Sequence, residues 1–274
     1  MKITGNIVKM KTFLEDGEAR YELPVGDESV PMNDLVGESL QLTYEDEINC
    51  IACGRKTKKS FSQGYCYPCF SSLAQCDMCI VKPETCHYFE GTCREPQWGE
   101  EHCMQDHYVY LANSSGIKVG ITRGSQIPTR WMDQGATQAL PIFKVKNRLI
   151  SGKVEVVIKQ HVADKTDWRR MLKGEADGLD LAGRRDALLA ECQQEIKQIE
   201  AEYGSDAVTY LDNEKQIEIC YPVTEYPTKV TSFNFDKAPI VEGTLMGIKG
   251  QYLIFDNGVI NIRKFGGYKV TISA

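Results

Sequence analysis

Residues 50–103 read CIACGRKTKKSFSQGYCYPCFSSLAQCDMCIVKPETCHYFEGTCREPQWGEEHC and hold nine of the chain's eleven cysteines. Three C-x2-C pairs follow one another: Cys50/Cys53, Cys66/Cys69 and Cys76/Cys79. Cys86, Cys93 and Cys103 come next, with His87, His102 and His107 close by. A C-x2-C turn aims two thiolates at one point, which is half of a tetrahedral zinc site. Two such pairs with twelve intervening residues complete a four-cysteine site of the zinc-ribbon kind. Gly54 suits the tight turn after the first pair, where backbone N–H groups point at the sulfurs. The simplest pairing gives Cys50, Cys53, Cys66 and Cys69 one ion. Cys76 and Cys79 then share a second with two of Cys86, His87, Cys93, Cys103 and His107. A cross-braced arrangement, with alternate pairs sharing metals, has the same spacing, and spacing does not choose between them.

Other uses of these thiols fit less well. Disulfides belong to secreted domains, and the opening MKITGNIVKMKTFLEDGE has no uninterrupted apolar core of a secretory signal. Cys66-Tyr67-Pro68-Cys69 lacks the strand-then-helix frame of a redox C-x-x-C. Iron–sulfur clusters use the same thiolates, but the interspersed histidines favour Zn2+.

The rest of the chain is ordinary for a globular protein: 274 residues, 42% hydrophobic and 26% charged, enough for two or three domains. The net charge of −6 opposes a broad grip on duplex nucleic acid and leaves room for a local basic patch. One candidate is the first metal loop, where Arg55, Lys56, Lys58 and Lys59 could meet phosphates or simply solubilise the loop. No apolar run approaches a membrane span. A reducing cytoplasm, where thiols and zinc persist, is the expected location.

Four segments are expected. Residues 1–49 read as short strands (Ile3 to Met10, Ala19 to Leu23, Leu40 to Tyr44), punctuated by Asp16-Gly17 and Gly26-Asp27. Residues 50–106 are the cysteine-rich metal segment. Residues 107–204 form an α/β module, and 205–274 return to β structure, with Asp256-Asn257-Gly258 as a hairpin signal. The two terminal β segments are expected to pack together. The fold class is therefore α+β: a zinc-ribbon-like segment and an α/β module between antiparallel β segments. No internal repeat stands out.

Within 107–204, Tyr108 to Ala112 and Ile117 to Thr122 flank a hairpin turn at Asn113-Ser114-Ser115-Gly116. Pro128 can open a helix carrying Arg130. Ala139 to Val145 is a further strand. Ser151 is expected to cap a helix that carries Glu155 and runs past His161. Asp164 or Thr166 could cap a short helix carrying Trp168, Arg169 and Arg170, where an aromatic beside guanidinium groups suits a base and its phosphate. Residues 184–203 read as one helix with Leu188, Leu189, Cys192, Ile196 and Ile199 on one face, ended by Gly204. Cys192 and Cys220 read as core residues.

A tyrosine on the first hairpin strand, K-V-G-I-T on the second, an arginine on the next helix and a glutamate on a later one resemble the GIY-YIG endonuclease superfamily over about residues 107–172. On that resemblance Tyr110 matches the first motif's tyrosine, Gly120 the second motif's glycine, Arg130 the helix arginine and Glu155 the metal-binding glutamate. Tyr108 stands where the name-giving glycine would be, and Lys118 replaces the second tyrosine. The whole chain also resembles an uncharacterised bacterial family in which a cysteine cluster precedes this module.

The chemistry follows from these residue types. Phosphodiester hydrolysis needs an activated water and stabilisation of developing charge. Tyr110 could act as base if a cation such as Lys118 lowers its pKa. Arg130 could clamp a phosphate oxygen, and Glu155 could hold Mg2+ or Mn2+. The expected function is a zinc-stabilised protein that interacts with DNA or RNA, as a nuclease. The alternative is a non-catalytic binding protein or protein-interaction adaptor.

Overall fold

The computed structural model describes residues 1–163 and 165–274. The chain opens with β1 (Lys2–Asn6), β2 (Lys11–Glu15), β3 (Glu18–Val25) and β4 (Glu28–Pro31). A 3-10 turn at Met32–Leu35 leads into β5 (Ser39–Asn49). The cysteine-rich stretch holds only short pieces: β6 (Lys56–Thr57), α1 (Tyr67–Ser72), single 3-10 turns between Ala74 and Glu90, and α2 (Pro96–His102). The middle runs β7 (His107–Asn113), β8 (Ile117–Arg123), α3 (Thr129–Asp133), β9 (Gln138–Val145) and α4 (Arg148–Ile158). It continues with α5 (Trp168–Leu172), α6 (Leu181–Glu191), α7 (Gln193–Tyr203), β10 (Val208–Tyr210) and β11 (Ile217–Glu218). The chain ends with β12 (Ile240–Lys249), β13 (Tyr252–Phe255), β14 (Gly258–Asn261), a 3-10 turn at Ile262–Phe265 and β15 (Tyr268–Ser273).

The result is a mixed α/β protein with antiparallel sheets. One sheet, ordered β1-β15-β5-β12-β13-β14, interleaves strands from the two ends of the chain, and β6 pairs with β5. The alternating burial of β3 and β5 turns Tyr21, Leu23, Leu40 and Leu42 into a core shared with Leu253, Ile260, Val270 and Ile272. Each such side chain withdrawn from water contributes about 1.5–3 kcal/mol. A second sheet, β10-β9-β7-β8 with β11 beside β9, belongs to the middle. One of its faces packs Val109, Leu111, Leu140 and Ile142 against Ile150 and Val154 of α4 and Leu188 and Ile196 of α6 and α7. From the other face Tyr110 and Ala112 join the core of the terminal strands. Among the described residues no helix is long and apolar enough to cross a membrane.

The terminal segments contain an internal repeat that composition hides. Each half has a hairpin, a second hairpin with a two-residue turn, a four-residue 3-10 turn and a strand: β2-β3-β4-β5 and β12-β13-β14-β15. Leu23 corresponds to Leu253, Val30 to Ile260, Met32 to Ile262, Leu40 to Val270 and Leu42 to Ile272, and every member of these pairs is buried. Gly37 and Gly267 end the two 3-10 turns with φ of +95° and +84°, a region in which side chains are strained. Few of the paired residues are identical, so the repeat shows as a pattern of burial and not of letters.

Several local expectations are corrected. The first strand stops at Asn6, and β14 stops at Asn261, where the chain enters a 3-10 turn. Asn147 caps α4 by accepting the Ile150 N–H at 3.0 Å; Ser151 lies buried inside that helix, its hydroxyl donating to the Arg148 carbonyl at 2.7 Å. The helix ends at Ile158, short of His161. Asp167 caps α5, accepting from Arg169 N and Arg170 N at 3.0 and 3.2 Å. Thr166 therefore lies outside the capping position, and Asp164 is outside the described residues. The helix of 184–203 is two helices meeting at Cys192, because α6 packs on β9 and β7 while α7 packs on α4. Cys192 is buried as expected, but Cys220 is exposed.

Candidate functional site: a four-cysteine cluster and a cationic cleft

Two turns bring the first four cysteines together. Around the first pair, Gly54 N–H donates to Cys50 O at 2.8 Å and Cys50 N–H to Arg55 O at 2.9 Å, with Gly54 at φ +72° closing the loop. Cys66 starts α1, so Cys69 sits one turn along it. The sulfurs of Cys50, Cys53, Cys66 and Cys69 all lie within 4.8 Å of one another, and those of Cys53 and Cys66 are 3.8 Å apart. Zn–S bonds of about 2.3 Å place tetrahedral sulfurs about 3.8 Å apart. The cluster is compatible with zinc. Burial pushes the Cys50 thiol up, but backbone N–H groups of Cys66, Cys53 and Ala52 outweigh it and bring it down to about 6. Cys69, sharing its proton with the Cys66 sulfur, is pushed up to about 12. Such a cluster already favours thiolate at one corner, the form that binds metal.

Arg55 faces this cluster. The Cys53 sulfur holds its guanidinium, whose pKa rises through that hydrogen bond. Lys56 reaches Glu47 at 3.6 Å, and Lys59 lies 5.3 Å from the Phe61 ring centroid. With Lys58, these four cations stay on the exposed loop and line no part of the cleft described next.

The second site is a cleft of about 410 Å3 where three parts of the chain meet. Its walls carry Lys118, Arg130 and Glu155, drawn from β8, α3 and α4. Tyr110 lies directly behind, fully buried on β7. Tyr110 is opposite Gly120 in the β7–β8 register, and a Cβ at Gly120 would fall 2.6 Å from the Tyr110 Oη. That missing methyl group is the space the phenol occupies. Tyr110 Oη donates to Gln134 Oε1 at 3.2 Å, and Lys118 Nζ donates to the same oxygen at 2.5 Å. Burial raises the Tyr110 pKa; Arg130, within hydrogen-bonding reach of the phenol, pulls it down and Glu155 pushes it up. Arg130 is thus one cation that tunes the phenol; Lys118, the cation singled out from the sequence, shares the Gln134 oxygen with the phenol.

More charge converges here than the motifs indicated. Lys9, Arg123, Arg148 and Arg263 line the same cleft, with Asp133 and Glu155 as its carboxylates. Asp133 is held by Lys9 at 2.7 Å and by Gln251 Nε2 at 2.8 Å, which ties α3 to the terminal sheet. Burial lowers the pKa of both Arg148 and Arg263, and Arg130 lowers each further. Arg130 therefore opposes the charge of both, while the Cys103, Cys79 and Cys86 sulfurs favour it at Arg148 and Asp133 favours it at Arg263. The cleft continues into a hollow of about 600 Å3 that shares Lys9, Arg130 and Arg263 and runs along Ile51, Gln63 and Tyr65 of the cysteine-rich segment. Arg148 precedes Glu155 by two helical turns on one face, but a helix capped at Ser151 leaves it out; only the cap at Asn147 brings it in. Arg123, Gln134, Lys9 and Arg263 had no local signal.

The remaining residues singled out from sequence lie elsewhere. Trp168 stacks on Tyr252 at 5.8 Å and packs beside Met171 and Val259, with the Arg169 guanidinium 4.3 Å above its ring. Arg170 lies 3.9 Å from Glu175. His107 is buried, its Nδ1 bonded to Gln105 O at 2.7 Å, and burial drives its pKa down to about 4. Asp77, Cys79 and His87 form a second group whose ligand atoms lie within 4.8 Å of one another, and Cys76 is not among them. His87, Cys86, Cys93 and Cys103 surround Cys79.

A mixed α/β protein with antiparallel sheets, a four-cysteine cluster and a cationic cleft is the class these observations define. Residues 37–270 match the model of a family described as a protein of unknown function (DUF2797), and the chain belongs to that family. No curated protein and no solved structure matches it.

Proposed function

We propose that the cleft grips the phosphate backbone of nucleic acid and hydrolyses a phosphodiester there, in a GIY-YIG-like module braced by zinc at Cys50, Cys53, Cys66 and Cys69. The gathering of Lys9, Lys118, Arg123, Arg130, Arg148 and Arg263 on the walls of one cleft carries this reading. Like charges partly withdrawn from water destabilise the fold, and a bound polyanion offsets that cost. In a chain of net charge −6, cations gathered on one concave surface are a local exception. The order hairpin, helix, strand, helix, with Lys118, Arg130 and Glu155 around one opening and Tyr110 buried behind it, supports the GIY-YIG resemblance. Exposed Ile51 and Val81 at the rim offer apolar surface to bases.

In this reading Arg130 and Arg263 bind the non-bridging oxygens, where a planar fork matches two acceptors. Their charge acts in a partly dry cleft, so it stabilises the transition state more than it would in water. Tyr110, kept protonated by burial, positions Gln134 and holds a proton at Oη; it is a donor and not the base. Lys118 Nζ donates to the same Gln134 oxygen. Glu155 is the carboxylate that would hold a hard divalent ion, and one carboxylate beside substrate phosphates is a donor set that Mg2+ or Mn2+ accepts. Such an ion, when bound, would supply Lewis acidity for activating water and neutralising charge.

The test is a panel of single-stranded, duplex and branched DNA and transfer RNA incubated with Mg2+ or Mn2+. Wild type should cleave at least one substrate, and Glu155→Gln should be slower by on the order of a hundredfold or more. The protonated Tyr110 leaves a second reading open, a binder without hydrolysis. Salt-sensitive binding with no cleavage by wild type would establish it and sink the catalytic assignment.

A further inference from the structure

We propose that Asp77, Cys79 and His87 hold a second zinc ion, separate from the Cys50 cluster and from the chemistry of the cleft. A carboxylate oxygen, a sulfur and a ring nitrogen from these three lie within 4.8 Å of one another. Cys79 is buried, and the Asp77 and His87 side chains are 13% and 25% exposed. All three line one small cavity. Asp77 caps the 3-10 turn Met78–Ile80, accepting from Cys79 N–H at 3.4 Å, and His87 immediately precedes the turn Tyr88–Glu90. His87 Nε2 stands 3.6 Å from Asp77 Oδ2. Zn–N and Zn–O bonds of about 2.0–2.2 Å place tetrahedral donors about 3.3–3.6 Å apart.

The surrounding hydrogen bonds leave electron pairs facing one another. Thr92 Oγ1 donates to the His87 carbonyl at 3.4 Å and lies 2.7 Å from His87 Nδ1. A hydroxyl has one proton to give, so Nδ1 carries the ring proton and donates to Thr92. In the neutral ring Nε2 is then a lone pair turned towards a carboxylate oxygen, two acceptors that a cation between them would hold together. A polar partner on the far ring nitrogen is also what metal-bound histidines carry. Asp77 is held in the same way: Arg94 Nε donates to Oδ2 at 2.7 Å, while the Arg94 guanidinium also donates to the carbonyls of Phe70 and Leu73 at 3.2 and 3.3 Å. Zinc accepts sulfur, nitrogen and oxygen donors together, whereas Mg2+ and Ca2+ take oxygen and an iron–sulfur cluster needs more thiolates. Three protein donors leave the fourth tetrahedral position to water. Such an ion would join the turn at Cys79 to the one at His87 in a stretch whose helices are single turns. Arg148 donates to the carbonyls of Cys79 and Ile80 at 3.3 and 2.5 Å, and Ile80 and Val81 line the cleft, so the ion would also steady one wall of it.

Elemental analysis of the full chain should find two zinc ions in wild type and in Cys76→Ser, and one in His87→Ala and in Asp77→Asn. A protonated His87 paired with Asp77 needs no metal; both variants would then keep the wild-type zinc content, which would overturn the assignment. X-ray absorption at the zinc edge of wild type does not depend on any variant folding. Its first shell should mix sulfur with nitrogen and oxygen, and in His87→Ala the remaining ion should show sulfur alone. A sulfur-only shell in wild type refutes the site whatever the zinc count. One ion in a mixed shell would place zinc here and remove it from the Cys50 cluster.

Discussion

An alanine at position 120 would drive its methyl group into the Tyr110 phenol, at 2.6 Å from Oη and 2.7 Å from Cζ. The ring cannot retreat, because Trp131 packs edge-on against it at 5.9 Å and the residue is fully buried. Overpacking of this kind costs about 1–3 kcal/mol. Gly120→Ala should therefore lower the denaturation midpoint by that amount and displace the Tyr110 contact with Gln134. A melting curve unchanged from wild type would show that the phenol is not seated as described. At this scale the site was half legible. Tyr110, Lys118, Arg130 and Glu155 lie on local motifs with recognisable spacing. Gln134 and Arg263 reach the cleft only through the tertiary fold, which brings the end of α3 and the last 3-10 turn to its walls.

At the scale of elements, the helix that carries Arg148 and Glu155 leans on the cysteine-rich segment through Gly152. A Cβ on Gly152 would stand 2.3 Å from the Glu84 backbone nitrogen, a contact with main chain that no rotamer relieves. Gly152→Ala should push α4 off the Pro83–Thr85 turn, destabilise the protein by about 1–3 kcal/mol and loosen the Arg148 bonds to Cys79 and Ile80. Hydrogen exchange in residues 79–85 should rise in the variant; unchanged protection would contradict this packing. Element types were readable where periodicity is strong, as in β7, β8 and β9. The caps were not, because Asn147 and Ser151 are both good capping residues and only the backbone of Asn147, at φ −157°, is extended. The break at Cys192 was hidden for a similar reason. The i, i+4 spacing of Leu188, Cys192 and Ile196 continues across it, and the bend answers to two packing partners.

At the scale of the molecule, the repeat explains how a C-terminal residue enters the cleft. Arg263 stands where the first half has Asn33. Asn33 is turned inward, accepting from Tyr21 N–H at 2.8 Å and donating to Ala19 O at 3.0 Å. Arg263 instead lines the cleft with Lys9, which links to α3 through Asp133. One half of the repeat thus closes its own hairpin, and the other delivers a cation to the site. Neither the repeat nor this role was visible in the sequence, since the correspondence lies in buried positions and turn geometry.

Arg263 is also the residue on which the phosphate grip is best measured. Burial and Arg130 both disfavour its charge while Asp133 favours it, so Arg263→Gln should change the stability of the fold little. The measurement is the affinity of wild type and Arg263→Gln for a fluorescent branched DNA, by anisotropy, over a series of salt concentrations. Each phosphate contact contributes about 0.9 to the slope of log affinity against log salt on duplex DNA. Wild type should bind with a steep negative slope, and the variant should bind more weakly with a slope shallower by about one contact. Affinity that is absent, or that is the same for both proteins at every salt concentration, would contradict a phosphate-binding cleft.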